Sequence, residues 1–132
     1  MIAIADTHAF VWYLAADKRL SENARHFIEG VVEANESIGI STITLVELVY
    51  LVEKKRITAE MLSRVFAEVQ SETSVFAVIS LDLDIVQALP RVAWAAIPDM
   101  PDRIIAATAL HHGVPIISRD ARIQQSDLQT IW

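Results

Sequence analysis

The stretch Ile2–His8, IAIADTH, decides the fold. An apolar run, Ile2–Ala5, meets a carboxylate at Asp6, and a second apolar run with helical spacing begins at once. A short uncharged apolar run ended by a polar residue reads as a buried strand. Asp6 or Thr7 supplies the N-cap of the following helix, from His8 to about Ala16. A strand passing straight into a helix opens a βαβ unit. Parallel sheets of that kind bind ligands just beyond the carboxyl ends of their strands, and Asp6 belongs at that rim.

The same alternation continues along the chain. Ser21 caps a helix over Glu22–Ala34, and Ser37–Ile40 reads as a second strand. Ser41 caps a third helix, Thr42–Lys54, with few polar positions. Thr44, Glu47, Tyr50 and Lys54 share one stripe of it. Thr58 caps a fourth helix, Ala59 to about Glu72, and Val75–Leu81 reads as a third strand. Asp82 or Asp84 starts a short helix that Pro90 interrupts. A loop with two prolines follows, and Asp102 opens a helix over Arg103–His112, closed by Gly113. Pro115–Ser118 is a fourth strand, Asp120 begins a short helical turn, and Gln129–Trp132 is a last strand. Alternation of this kind implies an α/β fold, a mostly parallel sheet with helices on both faces. No repeat, low-complexity segment or linker divides residues 1–132, which read as a single domain.

Composition narrows the chemistry. With 53% hydrophobic residues, only 3 Gly and 4 Pro, the chain can build a packed core. The absence of Cys removes disulfides, thiolate metal sites and a Cys nucleophile. No apolar run is long enough to span a membrane and no basic leader precedes the first strand, so the cytoplasm is the expected location. The net charge of −6 argues against simple nucleic-acid binding and suits a cluster of acidic metal ligands.

Four carboxylates are candidates for that cluster. Asp6 and Asp120 each end an apolar strand. Glu47 lies about one and a half turns into the helix after another strand. Asp102 starts a helix after the Pro-rich loop. In a parallel sheet all four point to one rim. Carboxylates gathered there repel and raise each other's pKa. A hard divalent cation relieves the repulsion, and Mg²⁺ or Mn²⁺ suits oxygen ligands best. Hydrolysis of a phosphodiester is the natural chemistry of such a site. Taken singly, each acid has a plainer reading: Asp102 as a helix N-cap, Asp6 and Asp120 as strand-end turn residues. Glu47 fits a plain reading least, because an isolated charge among apolar neighbours is costly. Asp99 reads as an accessory ligand or a solvated loop residue. Asp82 and Asp84 read as start-of-helix acids, His111 and His112 as residues favoured at a helix C-terminus, and His8 as a packing residue near a cap. There is no zinc-spaced His pair, P-loop, G-x-G-x-x-G or nucleophile elbow.

These residues also carry a resemblance. IADTHAFVWYL around Asp6, ISTITLVEL around Glu47, PDRIIAATAL around Asp102, PIISRD around Asp120 and the closing LQTIW together resemble the PIN-domain family, and within it the VapC-type ribonuclease toxins of type II toxin–antitoxin systems. The resemblance implies a three-layer α/β/α sandwich around a central, mostly parallel sheet of four or five strands. It implies a Mg²⁺- or Mn²⁺-dependent endoribonuclease, with Asp6, Glu47, Asp102 and Asp120 at the catalytic, metal-binding acidic positions. Thr7 and Ser118 match supporting polar positions, and Asp99 matches an extra acid found in some relatives. It also implies an RNA substrate, a homodimer and a cognate VapB-like antitoxin. Arg103, Arg119 and Arg122 neighbour the motif acids and are candidates to hold RNA phosphates. The nearly all-apolar segments Trp12–Leu14 and Leu48–Val52 are expected to form part of a protein interface. Two rival classes remain: a non-catalytic PIN-like interaction module, and an acidic-pocket phosphoryl-transfer protein. The first sits badly with four retained acids. The second sits badly with a solitary Asp6, because aspartyl phosphatases favour D-x-D there and position 8 is His.

Overall fold

A computed structural model describes residues 1–132. The strands are β1 (Ala3–Ala5), β2 (Ile38–Ser41), β3 (Phe76–Ile79), β4 (Ile116–Ile117) and β5 (Thr130–Ile131). The helices are α1 (Thr7–Leu14), α2 (Glu22–Glu33), α3 (Thr42–Glu53), α4 (Ala59–Gln70), α5 (Leu83–Ala88), α6 (Met100–His112) and α7 (Ala121–Gln125). A 3-10 turn, Leu89–Arg91, follows α5. The sheet order is β3-β2-β1-β4-β5, and every pairing is parallel.

This order fixes where a ligand can sit. From β1 the chain builds outwards through β2 to β3, then returns to lay β4 on the other side of β1. Crossovers therefore diverge at the β1/β4 boundary, and the crevice beyond the strand ends opens there. Asp6 follows β1 directly, and Asp120 lies just past β4.

Alternation along the strands makes three layers. Ala3 and Ala5 of β1 face a core built with Phe10, Ile28, Leu48 and Val65 from α1–α4. Ile4 points the other way, into a second core with Ile85, Ile105, Ile116 and Ile123 from α5–α7 and β4. These side chains are all but fully buried. The caps follow the sequence closely. Asp6, Ser21, Ser41, Thr58, Asp82 and Asp120 each accept a backbone N–H in the first turn of the helix they precede. Gly113 takes the left-handed conformation, φ 67°, that ends α6.

Two expectations need correction. The N-cap of α6 is Asp99, not Asp102, so the helix starts three residues early and swallows half of the supposed loop. Pro101 sits in its first turn, where a missing N–H costs nothing. Pro90 does interrupt the short helix as expected: α5 ends at Ala88, and Pro90 lies in the 3-10 turn that follows. Trp12 and Leu14 are core residues, 5% and 7% exposed, so the apolar character of α1 is explained within one chain. On α3 the picture is mixed: Leu48 is fully buried, while Val46 and Tyr50 are about half exposed.

Two glycines give opposite predictions. A Cβ on Gly39 in β2 would overlap Met1 Sδ and Ile4 Cδ1 and lie 3.1 Å from Ile79 Cγ1. Gly30 in α2 has nothing within 4 Å of such a Cβ. Gly39→Ala is therefore expected to lower stability by about 1–3 kcal/mol. Gly30→Ala is expected to raise it by about 0.5–1 kcal/mol. Urea midpoints of the two variants against wild type check both signs.

Candidate functional site

At the β1/β4 boundary lies a pocket of about 390 Å³ lined by Asp6, His8, Trp12, Arg19, Glu47, Asp99, Asp102, Arg119 and Asp120. All four carboxylates singled out in the sequence reach it, together with Asp99. Three of the five are held as helix caps, and the other two are placed by the helices that carry them.

Asp6 is 5% exposed. Its Oδ1 accepts from the Ala9 N–H at 2.9 Å, capping α1. Its own N–H donates to Ile117 O at 3.1 Å, locking the end of β1 to β4. Burial raises its pKa; hydrogen bonds from the Ser118 hydroxyl and the Ala9 N–H pull it back down, and the charge of Asp120 adds a further upward push. Asp120 caps α7, its Oδ1 accepting from Arg122 and Ile123 N–H at 2.9 and 3.0 Å. The Asp120 N–H in turn donates to Ser118 Oγ at 3.0 Å. Ser118, fully buried, thus ties together the two aspartates on either side of the boundary.

Asp99 Oδ1 accepts from the Asp102 N–H at 3.1 Å. Capping and lining the pocket are therefore compatible: Asp6, Asp99 and Asp120 each spend only Oδ1 on backbone donors and keep the second oxygen free for other partners. Glu47 is half-buried on α3. It is steadied by Thr7, whose hydroxyl donates to Glu47 Oε1 and lies 3.2 Å from the Thr44 hydroxyl. That bond answers the sequence puzzle of a charge in an apolar helix. Thr44, three residues before Glu47 on the same stripe, completes it.

Asp102 shows the electrostatics of the pocket most clearly. Burial, then the charges of Asp99, Asp120, Asp6 and Glu47, push its pKa up to about 7. All four neighbouring acids act on one carboxyl group, as convergence on a common rim requires. The donor set consists of hard oxygens, which suits Mg²⁺ or Mn²⁺. No three of the acids stand close enough together, as the side chains lie, to form a ready-made metal site. An open acidic pocket is compatible with Mg²⁺, which keeps several of its waters and takes few protein ligands.

The arginines divide. Arg119 lines the pocket. Arg103 does not: its Nε and Nη2 donate to Val92 O and Leu89 O, both at 3.1 Å, closing the turn after α5. Arg122 also lies outside the pocket lining, with Nη1 3.4 Å from Ala95 O. Asp82 only caps α5, and the rings of His111 and His112 pack on each other, 5.0 Å apart. Sequence reasoning missed Arg19 and Trp12 and read His8 as a packing residue. The available signal was their spacing. His8 and Trp12 are four apart on α1, and their ring centroids lie 5.5 Å apart. Arg19 comes from the following turn and could be placed only in three dimensions.

Comparison with known proteins identifies the fold and the family. The chain is 26% identical over 121 residues to Ribonuclease VapC22 of Mycobacterium tuberculosis, covering 92% of this chain and 88% of that protein. Its fold matches VapBC2 of Rickettsia felis bound to a promoter DNA fragment, with TM-score 0.73, 17% identity and coverage of 98% and 97%. It also matches a toxin–antitoxin complex from Klebsiella pneumoniae, with TM-score 0.69, 22% identity and coverage of 98% and 96%. The PIN domain model matches residues 3–127. With a parallel sheet, an acidic pocket at its switch point and a family match over nearly its whole length, the chain belongs to the PIN domain family.

Proposed function

We propose that this chain is a divalent-metal-dependent endoribonuclease of the VapC type, folded as one PIN-like domain. The observation that carries the reading is the convergence of Asp6, Glu47, Asp99, Asp102 and Asp120 on one pocket beyond the strand ends. The likeness to a ribonuclease and to toxin–antitoxin complexes supports the same assignment. On this reading the enzyme acts in the cytoplasm, forms a homodimer and is neutralised by a VapB-like antitoxin. The exposed Val46 and Tyr50 on α3 offer apolar surface for a protein contact. No helix is long and apolar enough to cross a membrane.

Asp6, Glu47, Asp102 and Asp120 would hold Mg²⁺ or Mn²⁺, with Asp99 as an accessory. The bound cation would supply Lewis-acid charge and lower the pKa of an attacking water. The protein's own contribution is positioning. Ser118 orients Asp6 and the turn at Asp120, and Thr7 fixes Glu47. Asp102 gives up its proton readily near neutral pH, so it can become a ligand when positive charge arrives. A carboxylate oxygen left free of metal would orient water for in-line attack on phosphorus. Arg119 would counter the repulsion between RNA phosphate and the acids. The interaction-module reading gains nothing from this geometry, because it gives no reason for five acids to share one pocket.

The direct test is cleavage of RNA with Mg²⁺, with EDTA and with Asp6→Asn. Cleavage should need the cation and fall at least ~100-fold in the variant. Equal cleavage by Asp6→Asn would sink the assignment. A second test uses stability. Folded Asp102 holds its proton to about pH 7, whereas the unfolded chain releases it near 3.8. The folded state therefore binds more protons between these values and loses stability as pH rises through them; above them the loss is complete. Asp102→Asn should match wild type below pH 4 and exceed it increasingly up to pH 7. After discounting for partial exposure, the gain should level off at about 1–2 kcal/mol. Urea unfolding across this range in EDTA reads the difference, and a gain that shrinks with rising pH contradicts the coupling.

A further inference from the structure

The pocket is not uniformly acidic. Beside its carboxylates stand Arg19, Arg119, His8 and Trp12. The two arginines come from distant segments, the turn after α1 and the turn after β4, yet both guanidinium groups lie over one indole. Arg119 Cζ is 4.6 Å from the Trp12 ring centroid and Arg19 Cζ is 4.9 Å from it. Trp12 is itself buried, 5% exposed and packed against Trp132 at 6.0 Å and His8 at 5.5 Å. Such stacking restrains side chains that otherwise lose much rotamer freedom on binding.

The two arms are held differently. Arg19 is clamped from its other side by Asp17, through Nε–Oδ1 at 3.1 Å and Nη2–Oδ2 at 2.8 Å. The Asp17–Arg19 pair is the one ion pair in the structure, so Arg119 has no carboxylate partner. Its fork of donors is exposed beside an acidic pocket, held by the aromatic face and by the more distant charge of Asp17. A guanidinium kept in place but unpaired is ready for an oxyanion.

We propose that Trp12 holds Arg119 and Arg19 as a two-armed clamp for the RNA phosphate adjacent to the one at the carboxylates. This rests on the ribonuclease reading and deepens it. Five acids on their own would repel a polyanion; a cationic arm at their border lets the backbone approach and sets its register. Arg119 makes the stronger contact, because Asp17 already occupies much of Arg19. Trp12 is a positioning residue: it binds no phosphate and acts through the arginines.

The test is binding of a labelled single-stranded RNA octamer to the Asp6→Asn chain in Mg²⁺, followed by fluorescence anisotropy at several salt concentrations. Arg119→Gln should raise Kd about 5- to 10-fold and reduce the salt slope by about 0.7, the loss of one phosphate contact on a single strand. Arg91→Gln, outside the pocket, should change Kd only through net charge, less than about 2-fold. Trp12→Leu should raise Kd, and adding Arg119→Gln to it should cost less than in the Trp12 background; Trp12→Phe should restore part of the affinity. An Arg119→Gln slope equal to that of the parent overturns the clamp, even if Trp12→Leu fails to fold. No RNA binding by the parent overturns it too. Parallel cleavage by the wild-type chain separates the two readings: cleavage with an unchanged slope removes the clamp alone, and a changed slope without cleavage removes the nuclease alone.

Discussion

Like charges brought together in a half-dry place are the constraint on which this structure turns. Five carboxylates meet beyond the ends of β1 and β4, and the fold must hold them there against their own repulsion. It does so with backbone. Asp6, Asp99 and Asp120 are each fixed as helix caps, so the favourable interaction of a carboxylate with a helix N-terminus offsets part of the repulsion. Glu47, which caps nothing, needs Thr7 instead. Asp102 has neither device on its side chain, and burial first, then the neighbouring charges, push its pKa up to about 7.

The parallel sheet serves that arrangement. The all-buried strands β1 and β4 bring their last residues side by side, and hydrogen bonds from Asp6 N–H to Ile117 O and from Ser118 N–H to Ile131 O extend the pairing to the rim. The two cores, one under α1–α4 and one under α5–α7, fix the sheet from both faces. A site on strand ends held in this way is more rigid than one carried on loops.

Much of this was legible in the sequence, for identifiable reasons. Strand–helix alternation and N-capping residues are local signals, so elements and caps could be read from neighbouring residues. Asp6, Glu47 and Asp120 were legible because each ends a strand or sits within two turns of one, and Asp102 because it opens a helix after a proline-rich stretch. What failed was equally physical. Asp99 and Asp102 are both acceptable caps three residues apart, and sequence does not say which one Pro101 favours. Arg103 and Arg119 look alike beside their motif acids, yet one bonds to carbonyls after α5 and the other lies over Trp12. Arg19 joined the site through tertiary packing alone, whereas Trp12 shares a face of α1 with His8, a spacing that was readable but lost among apolar neighbours.

On the proposed reading the acids form a cation site whose last proton leaves as the ion arrives. Calorimetric titration of Mn²⁺ into the chain at pH 7, repeated in buffers of different ionisation enthalpy, measures it most directly. Saturable binding is expected, with release of roughly half a proton per ion at pH 7 that fades to none near pH 9, as a group with pKa about 7 requires. Absence of saturable binding, or proton release that does not change between these pH values, would contradict it.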